Sequence, residues 1–302
     1  IGANALDANT TGSYNNAIGH NAMGANTTGH RNTVVGQDAL QANTTGARNT
    51  ALGNSALAQN TTADNNVAIG NDALAANTTG ANNVAIGFDA SDSNNGSSCI
   101  VIGSEAMQSA TTVNKSVAIG NGAMYAHTGT GDEHNVHVGH NAGYNETTGY
   151  SNTFVGGLAG YNITTGSHST FVGKGTGGGA TTGTYNICIG INAAPSTASA
   201  SNECTLGDSN INNLRCNDTS ISSLSDARDK TDVVDLPIGL NFLNTLRPVK
   251  FKWATRDGNV KDGKIRAGFI AQELQSAQKD CDYLDLVMDT NPEKLEAKQE
   301  HL

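Results

Sequence analysis

The first two thirds of the chain carry one short apolar run again and again. Each run ends on a glycine: Gly2, Gly19, Gly36, Gly53, Gly70, Gly87, Gly103, Gly120, Gly139, Gly156, Gly173, Gly190 and Gly207. The step is 17 residues, apart from one of 16 to Gly103 and one of 19 to Gly139. A fixed short period marks a solenoid, with one supersecondary unit per repeat. The unit reads N-x-A-I-G-x-x-A-L-x-x-N-T-T-G-x-x, as at Asn83-Val84-Ala85-Ile86-Gly87. The residue before the glycine is Ile, Val or Leu throughout (Ile18, Val35, Leu52, Ile69 and onward to Leu206). Two before it stand Ala17, Val34, Ala51, Ala68, Phe154, Phe171 or Cys188. Neighbouring strand residues point to opposite faces, so this strand is apolar on both. A thin coil has one inside. The second face therefore calls for another surface, most simply another copy of the chain. A second strand is expected at the Ala-Leu pairs, such as Ala56-Leu57 and Ala73-Leu74. Asn-Thr-Thr-Gly is expected to close the coil as a polar turn, with Gly or Asn at positive φ. Stacked asparagines would form amide ladders. About twelve coils at ~4.8 Å each would give a rod of ~58 Å.

Beyond Gly207 the period lapses and the pattern changes. Residues 208–224 read as a connecting strand, Ile211–Cys216, and a Ser-rich linker. Asp235 can cap a helix with Pro237 in its first turn and Leu240, Leu243 and Leu246 as its apolar stripe; Pro248 ends it. Val249–Trp253 alternates as a strand with one buried face. Asp257-Gly258 and Asp262-Gly263 signal a hairpin turn, Ile265–Ala271 is the returning strand, and a helix begins at Gln272. The division expected is residues 1–207 as the repeat, 208–224 as the connection and 225–302 as a small α+β domain.

Charge sharpens that boundary. Residues 1–207 hold 4 Lys/Arg and 11 Asp/Glu, and residues 208–302 hold the other 13 and 16. The net charge of −10 argues against an electrostatic nucleic-acid binder. No apolar window approaches ~18 residues, so no membrane insertion is expected. The five cysteines fit no zinc spacing and read as small buried thiols. The chain begins inside a repeat unit and stops inside an expected helix, as a piece of a longer protein would.

Little in the repeat looks catalytic. Asp7, Asp38, Asp72 and Asp89 form no tight carboxylate pair. His134, His137 and His140 are three apart, which alternates faces on a strand, so one chain cannot converge them on a metal. His137 takes the inward position and reads as a packed histidine; in a trimer three copies could meet on the axis. The insertion Gly129–Glu133 and the outward Tyr125, Tyr144, Tyr150 and Tyr161 are candidates for ligand contact. No metal or other cofactor is expected.

Two resemblances add to this reading. The N-x-V-A-I-G-x-x-A unit of residues 1–207 resembles the head repeats of trimeric autotransporter adhesins, which are parallel β-rolls in a trimer; similar repeats occur in phage tail fibres. This 17-residue unit is longer than the usual adhesin one. The segment SDARDKTDVVDLPIGLNFLNTLRPVKFKW with RAGFIAQEL, about residues 222–302, resembles the endosialidase-type intramolecular chaperone. The resemblance implies a domain that trimerises, drives assembly of the fibre ahead of it and cuts itself off before its motif serine. Carried over, Ser225 is the nucleophile, Lys230 its base and Leu224–Ser225 the bond cut, with Asp226 and Arg228 supporting the loop or pairing between chains. Such autoproteolysis is serine-type and single-turnover, with no external substrate. The fold class expected is mainly β: a parallel β-solenoid of 17-residue repeats, packed as a homotrimer, followed by a small α+β chaperone domain. The function implied is a structural, host-adhesive part of a phage tail fibre or spike. Its partners would be a host cell-surface receptor and other virion tail proteins, and it would be assembled in the host cytoplasm. The alternatives are a cellular trimeric adhesin and the non-catalytic part of a glycan-degrading tailspike.

Overall fold

The structure, a computed structural model, describes residues 1–211, 239–252 and 265–279, and the backbone at Val287–Met288 and Glu296–Ala297. It divides into two compact units, residues 1–216 and 217–302. The first is mainly β, a parallel β-solenoid. Its strands are three residues long: β1 (Asn16–Ile18), β2 (Thr33–Val35), β3 (Thr50–Leu52), β4 (Val67–Ile69), β5 (Val84–Ile86), β6 (Ile100–Ile102), β7 (Thr112–Asn114), β8 (Val117–Ile119), β9 (Thr130–Asp132), β10 (Val136–Val138), β11 (Thr153–Val155), β12 (Thr170–Val172), β13 (Ile187–Ile189) and β14 (Cys204–Leu206). Twelve of them form one parallel sheet; β7 and β9 pair separately. Most neighbours pair at the repeat spacing, as Val67↔Val84 does. The short unit joins as Val84↔Ile100 and the long one as Val117↔Val136, so both irregular lengths are absorbed outside the sheet.

The glycine that ends each strand is required twice over. Gly53 has φ +143°, and a Cβ there would lie 2.5 Å from the carbonyl carbon of Gly70 in the next coil.

The expected second strand is absent from the described coils. Ala39 and Leu40 are both fully buried, as are Ala56 with Leu57 and Ala73 with Leu74. A strand cannot turn adjacent side chains to one side. The backbone instead takes positive φ at alternate residues, 54° at Asp38 and 50° at Leu40. Its hydrogen bonds also alternate: Asp38 N donates back to His20 O (2.9 Å), and Leu40 N forward to Ala56 O (2.9 Å). The Asn-Thr-Thr-Gly turn differs from expectation as well. Positive φ falls neither on its Asn nor on its Gly, but two residues beyond the glycine, as at Arg48 (59°) and Asn82 (62°).

Inside the coil, volume is shared between two positions. The middle strand residue is small in the early coils, and the turn supplies a large side chain: Ala17 with Met23, Val34 with Leu40, Ala51 with Leu57, Ala68 with Leu74. From β10 onward the pattern inverts to His137 with Gly143, Phe154 with Gly160 and Phe171 with Gly177. A Cβ on each of those glycines would run into the ring of its partner. Ala85 with Ser91 is the exception, and there Met107 of the next coil fills in, its Sδ 3.9 Å from Ser91 Oγ. The inward rings stack along the axis, His137 on Phe154 at 4.7 Å and Phe154 on Phe171 at 5.0 Å. That is about the natural coil spacing.

Polar groups in the lumen are matched by ladders. Asn43 Nδ2 donates to Asn26 Oδ1, and Asn60 Nδ2 to Asn43 Oδ1, each at 2.9 Å. Asn43 Nδ2 also reaches Gly46 O (3.0 Å), which closes the turn. A second ladder runs through Asn32, Asn49, Asn66 and Asn83, whose side-chain oxygens accept from the next backbone N–H.

Outside, the sheet is apolar and exposed in the single chain. Ile18, Leu52, Ile189 and Leu206 are 45–50% exposed. The inward face is buried as expected; the outward face is the one that the expectation assigned to another copy of the chain. Among the cysteines, Cys99 and Cys188 are buried as expected but Cys204 is exposed, at the outward first position of β14.

In the second unit, α1 (Leu240–Leu243) is shorter than the predicted helix, and Leu243 faces solvent. Phe242 takes the place of Leu243 and packs, with the predicted Leu246 and with Phe269, against Leu274 of α2 (Ala271–Ala277). β15 (Val249–Phe251) and β16 (Arg266–Gly268) pair antiparallel with Val249 opposite Gly268, as the alternation implied. Arg247 forms a fork with the Glu273 carboxylate. β17 (Val287–Met288) and β18 (Glu296–Ala297) pair antiparallel. The predicted Asp235 cap, the linker and the two Asp-Gly turns lie outside the described residues. Among the described residues no helix is long and apolar enough to cross a membrane.

The shared-volume rule is testable by a double substitution. Phe154→Ala should cost about 3–5 kcal/mol in denaturant unfolding, and Gly160→Leu about 1–3 kcal/mol by overfilling. Together they recreate the Ala–Leu pair of the early coils, so the double variant should lose less than the two single losses added together, by a coupling of roughly 2 kcal/mol. Additive losses would refute the rule.

Candidate functional site

The regular ladder breaks in one place. Asn9, Asn26, Asn43, Asn60, Asn77 and Asn94 occupy one position in successive coils. The same position then holds Ala110, His127, Glu146, Ile163 and Ala180. His127 and Glu146 are thus histidine and glutamate in the lumen, where earlier coils use a neutral amide. Between them in the chain is His137, inward on β10. All three side chains are fully buried. Glu146 Oε2 lies 3.1 Å from His137 Nε2 and 3.8 Å from His127 Nδ1. Its other oxygen accepts from Asn152 Nδ2 at 2.5 Å. Glu146 Oε2 and the four ring nitrogens make no aligned hydrogen bond. His137 is inward and packed as expected, in the lumen of its own chain and stacked on Phe154, not on the axis of a trimer.

Burial governs the charge of these groups. It lowers His127 to about 4, and with the help of His127 it lowers His137 to about 3. It raises Glu146 well above the carboxylate range, against the hydrogen bond from Asn152 and with a contribution from Glu133. No group of three or more His, Cys, Asp or Glu among the described residues is arranged to hold a metal ion.

The long coil, Gly120 to Gly139, forms the wall outside this cluster. Its insertion makes β9, which pairs with β7, Thr112 opposite Thr130. Asp132 is held by Lys115. A groove of about 430 Å³ opens there, lined by Thr128, Gly129, Thr130, Asp132, Glu133, Thr148 and Tyr150. Glu133 is nearly buried and its carboxyl is raised by burial, with His134 opposing. The outward tyrosines are ordered into stacks: Tyr125 on Tyr144 at 4.7 Å, and Tyr144 on Tyr161 at 5.5 Å. Tyr150 instead meets His168 edge-on at 4.9 Å, and His168 stacks on Tyr185. The predicted insertion and Tyr150 therefore share one groove, while Tyr125, Tyr144 and Tyr161 form a separate ladder.

The predicted cleavage site, Leu224 and Ser225 with Asp226, Arg228 and Lys230, lies outside the described residues. Residues 225–283 match the family described as chaperone of endosialidase, and the match starts at Ser225. The matched segment is about a fifth of the chain. No curated protein and no solved structure matches the chain.

His127 and Glu146 were missed as a site by sequence reasoning. The signal was present: each is a titratable residue at a ladder position that six asparagines define.

Thiol chemistry gives a direct check on this half of the solenoid. Burial raises Cys188 to about 11 and also raises Cys99. Iodoacetamide at pH 8 followed by peptide mapping should alkylate Cys204 of the folded chain and leave Cys99 and Cys188 unmodified.

Proposed function

We propose that the chain is a structural and host-adhesive component of a phage tail fibre or spike, assembled as a homotrimer by its C-terminal chaperone region. The observation that carries the reading is the order of parts. A rigid parallel β-solenoid with one apolar sheet face exposed precedes a segment that matches the chaperone of endosialidase and starts at Ser225. In the proposed trimer the outward rows, such as Val67 with Ile69 and Ile187 with Ile189, pack against the same rows of other copies. An apolar face this long, left to solvent, is the usual mark of an interaction surface.

In this reading the chaperone region is residues 225–302 and the shaft is residues 1–207. Ser225 Oγ attacks the Leu224 carbonyl as Lys230 takes its proton; the Leu224–Ser225 C–N bond breaks as its nitrogen receives that proton, and water then hydrolyses the resulting ester to separate the two products. A hydroxyl is a poor nucleophile until a base accepts that proton, and a lysine serves only when desolvation holds it neutral. Burial of the Lys230 amine on trimer formation would couple cleavage to correct assembly. Asp226 and Arg228 orient the loop or pair between chains. The other partners in this reading are a receptor on the host surface and the remaining tail proteins, with the virion tail as location.

Three measurements test separate parts. On a denaturing gel, the wild-type chain should give two products, residues 1–224 and 225–302, where Ser225→Ala and Lys230→Ala each give one full-length band; identical patterns would remove the dyad. Sedimentation of the uncut Ser225→Ala chain should give a trimer, and a stable monomer would remove the sheet-face packing. Binding of the trimer to host cells or arrayed glycans tests adhesion; with no binding, a purely structural shaft remains.

A further inference from the structure

The buried core of the solenoid is not continuous. One apolar segment runs from Ala17 to Met124 and a second from Ala142 to Ala193. His127, His137 and Glu146 sit where the two segments meet. Six earlier coils hold a neutral amide at this position, and the coils on either side hold Ala110 and Ile163; here three ionisable groups face one another through a single oxygen, Glu146 Oε2. We propose that this cluster is a proton-governed joint: the coils of residues 117–146 open locally and reversibly as the pH leaves a narrow neutral range, while the coils on either side stay closed.

The geometry sets the charge balance. With one proton shared among the three groups the cluster is neutral. A second proton leaves a net positive charge in the lumen, and loss of the first leaves a net negative one. Either charge lies where no water reaches it, which makes the closed coil costly. The other ionisable groups that face the cluster come from the inserted wall. Glu133 Oε1 and His127 Nε2 both border the Cα of Gly129, within 2.7 Å of where a Cβ would stand. His134 acts on Glu133, and Asp132 is tied up by Lys115. From the strands, Ala118 and Phe154 flank His137 and carry no charge. From the following coil, Asn152 holds Glu146.

The direction with pH follows from proton counting. Closed, the imidazoles stay neutral down to about 4 and about 3, and Glu146 stays protonated above its ordinary range. Opened, the histidines titrate near their ordinary ~6.5 and the glutamate near ~4.3. Between those two values opening takes up two protons on His127 and His137 and releases one from Glu146, a net gain of one. Opening therefore grows about tenfold for each pH unit of acidification. Above ~6.5 the opened histidines are neutral, and opening only releases the Glu146 proton. Opening then grows about tenfold per unit as the pH rises, until Glu146 ionises in the closed coil.

Amide hydrogen exchange on the full chain, corrected for intrinsic rates, tests this. Protection of the β8 and β10 amides should peak near pH 6.5 and fall on both sides, while that of β2 to β5 stays flat. The quadruple variant His127→Asn, Glu146→Asn, His137→Ala, Gly143→Met restores the residues that earlier coils use and should abolish the peak. If β8 and β10 track β2 to β5 at every pH, the joint does not exist. Should the variant fail to fold, the wild-type profile decides alone. If zinc at micromolar concentration raises protection of β10, and His127→Asn removes that effect, the cluster is a metal site and the proton reading falls.

Discussion

Every coil of the solenoid has to close on itself and return its backbone to hydrogen-bonding distance of the next. That requirement sets what each position can be. The glycine after each strand is there because a side chain would collide with the carbonyl of the following coil. The turn carries positive φ at alternate residues because its peptide groups must bond the coils on both sides. Asparagines in the lumen satisfy one another at the coil spacing, so that buried amides cost little. Hydrophobic burial then acts on a frame already defined by the backbone. The core uses mostly alanine, with one large side chain in most coils.

The same requirement explains where the fold was legible in the sequence and where it was not. Period, strand position, ladders and the parallel stacking all follow from a repeat of fixed length, and residues such as Ala68 and Ile69 declare their faces by alternation. The Ala-Leu segment misled because two adjacent apolar residues resemble a doubly buried strand. Only alternating backbone handedness turns both inward, and no residue type signals it: Leu40, Asp38, Met23 and Ser55 all adopt positive φ there. In the second unit the alternation of Val249 to Phe251 was readable, whereas the helix stripe was not. With one turn of α1 formed, Phe242 reaches Leu274 in place of Leu243.

The candidate sites divide in the same way. Ser225 and Lys230 stand out through motif resemblance, and the family match begins at the serine. His127 and Glu146 lie 19 residues apart and share no motif with His137. They become neighbours because they hold equivalent positions of successive coils, and the two additional residues of the long coil only stretch the count between them from 17 to 19. Spacing arguments made along the chain, such as the run of His134, His137 and His140, therefore pointed to the right histidine but to the wrong companions. In a solenoid the informative comparison is between equivalent positions of successive coils.

The exchange of bulk between strand and turn has a further implication. Phe154 and Gly160 belong to one repeat, as do Ala68 and Leu74, so these coils fill their own cross-sections, whereas the coil of Ser91 borrows Met107 from the next. A unit that is complete in volume can be duplicated or deleted whole without disturbing its neighbours. A lineage built this way can lengthen or shorten its rod in steps of one coil, about 4.8 Å, by recombination between repeats. The coil of His127 is the place where such exchange is barred, because its side chains depend on Glu146 in the next one.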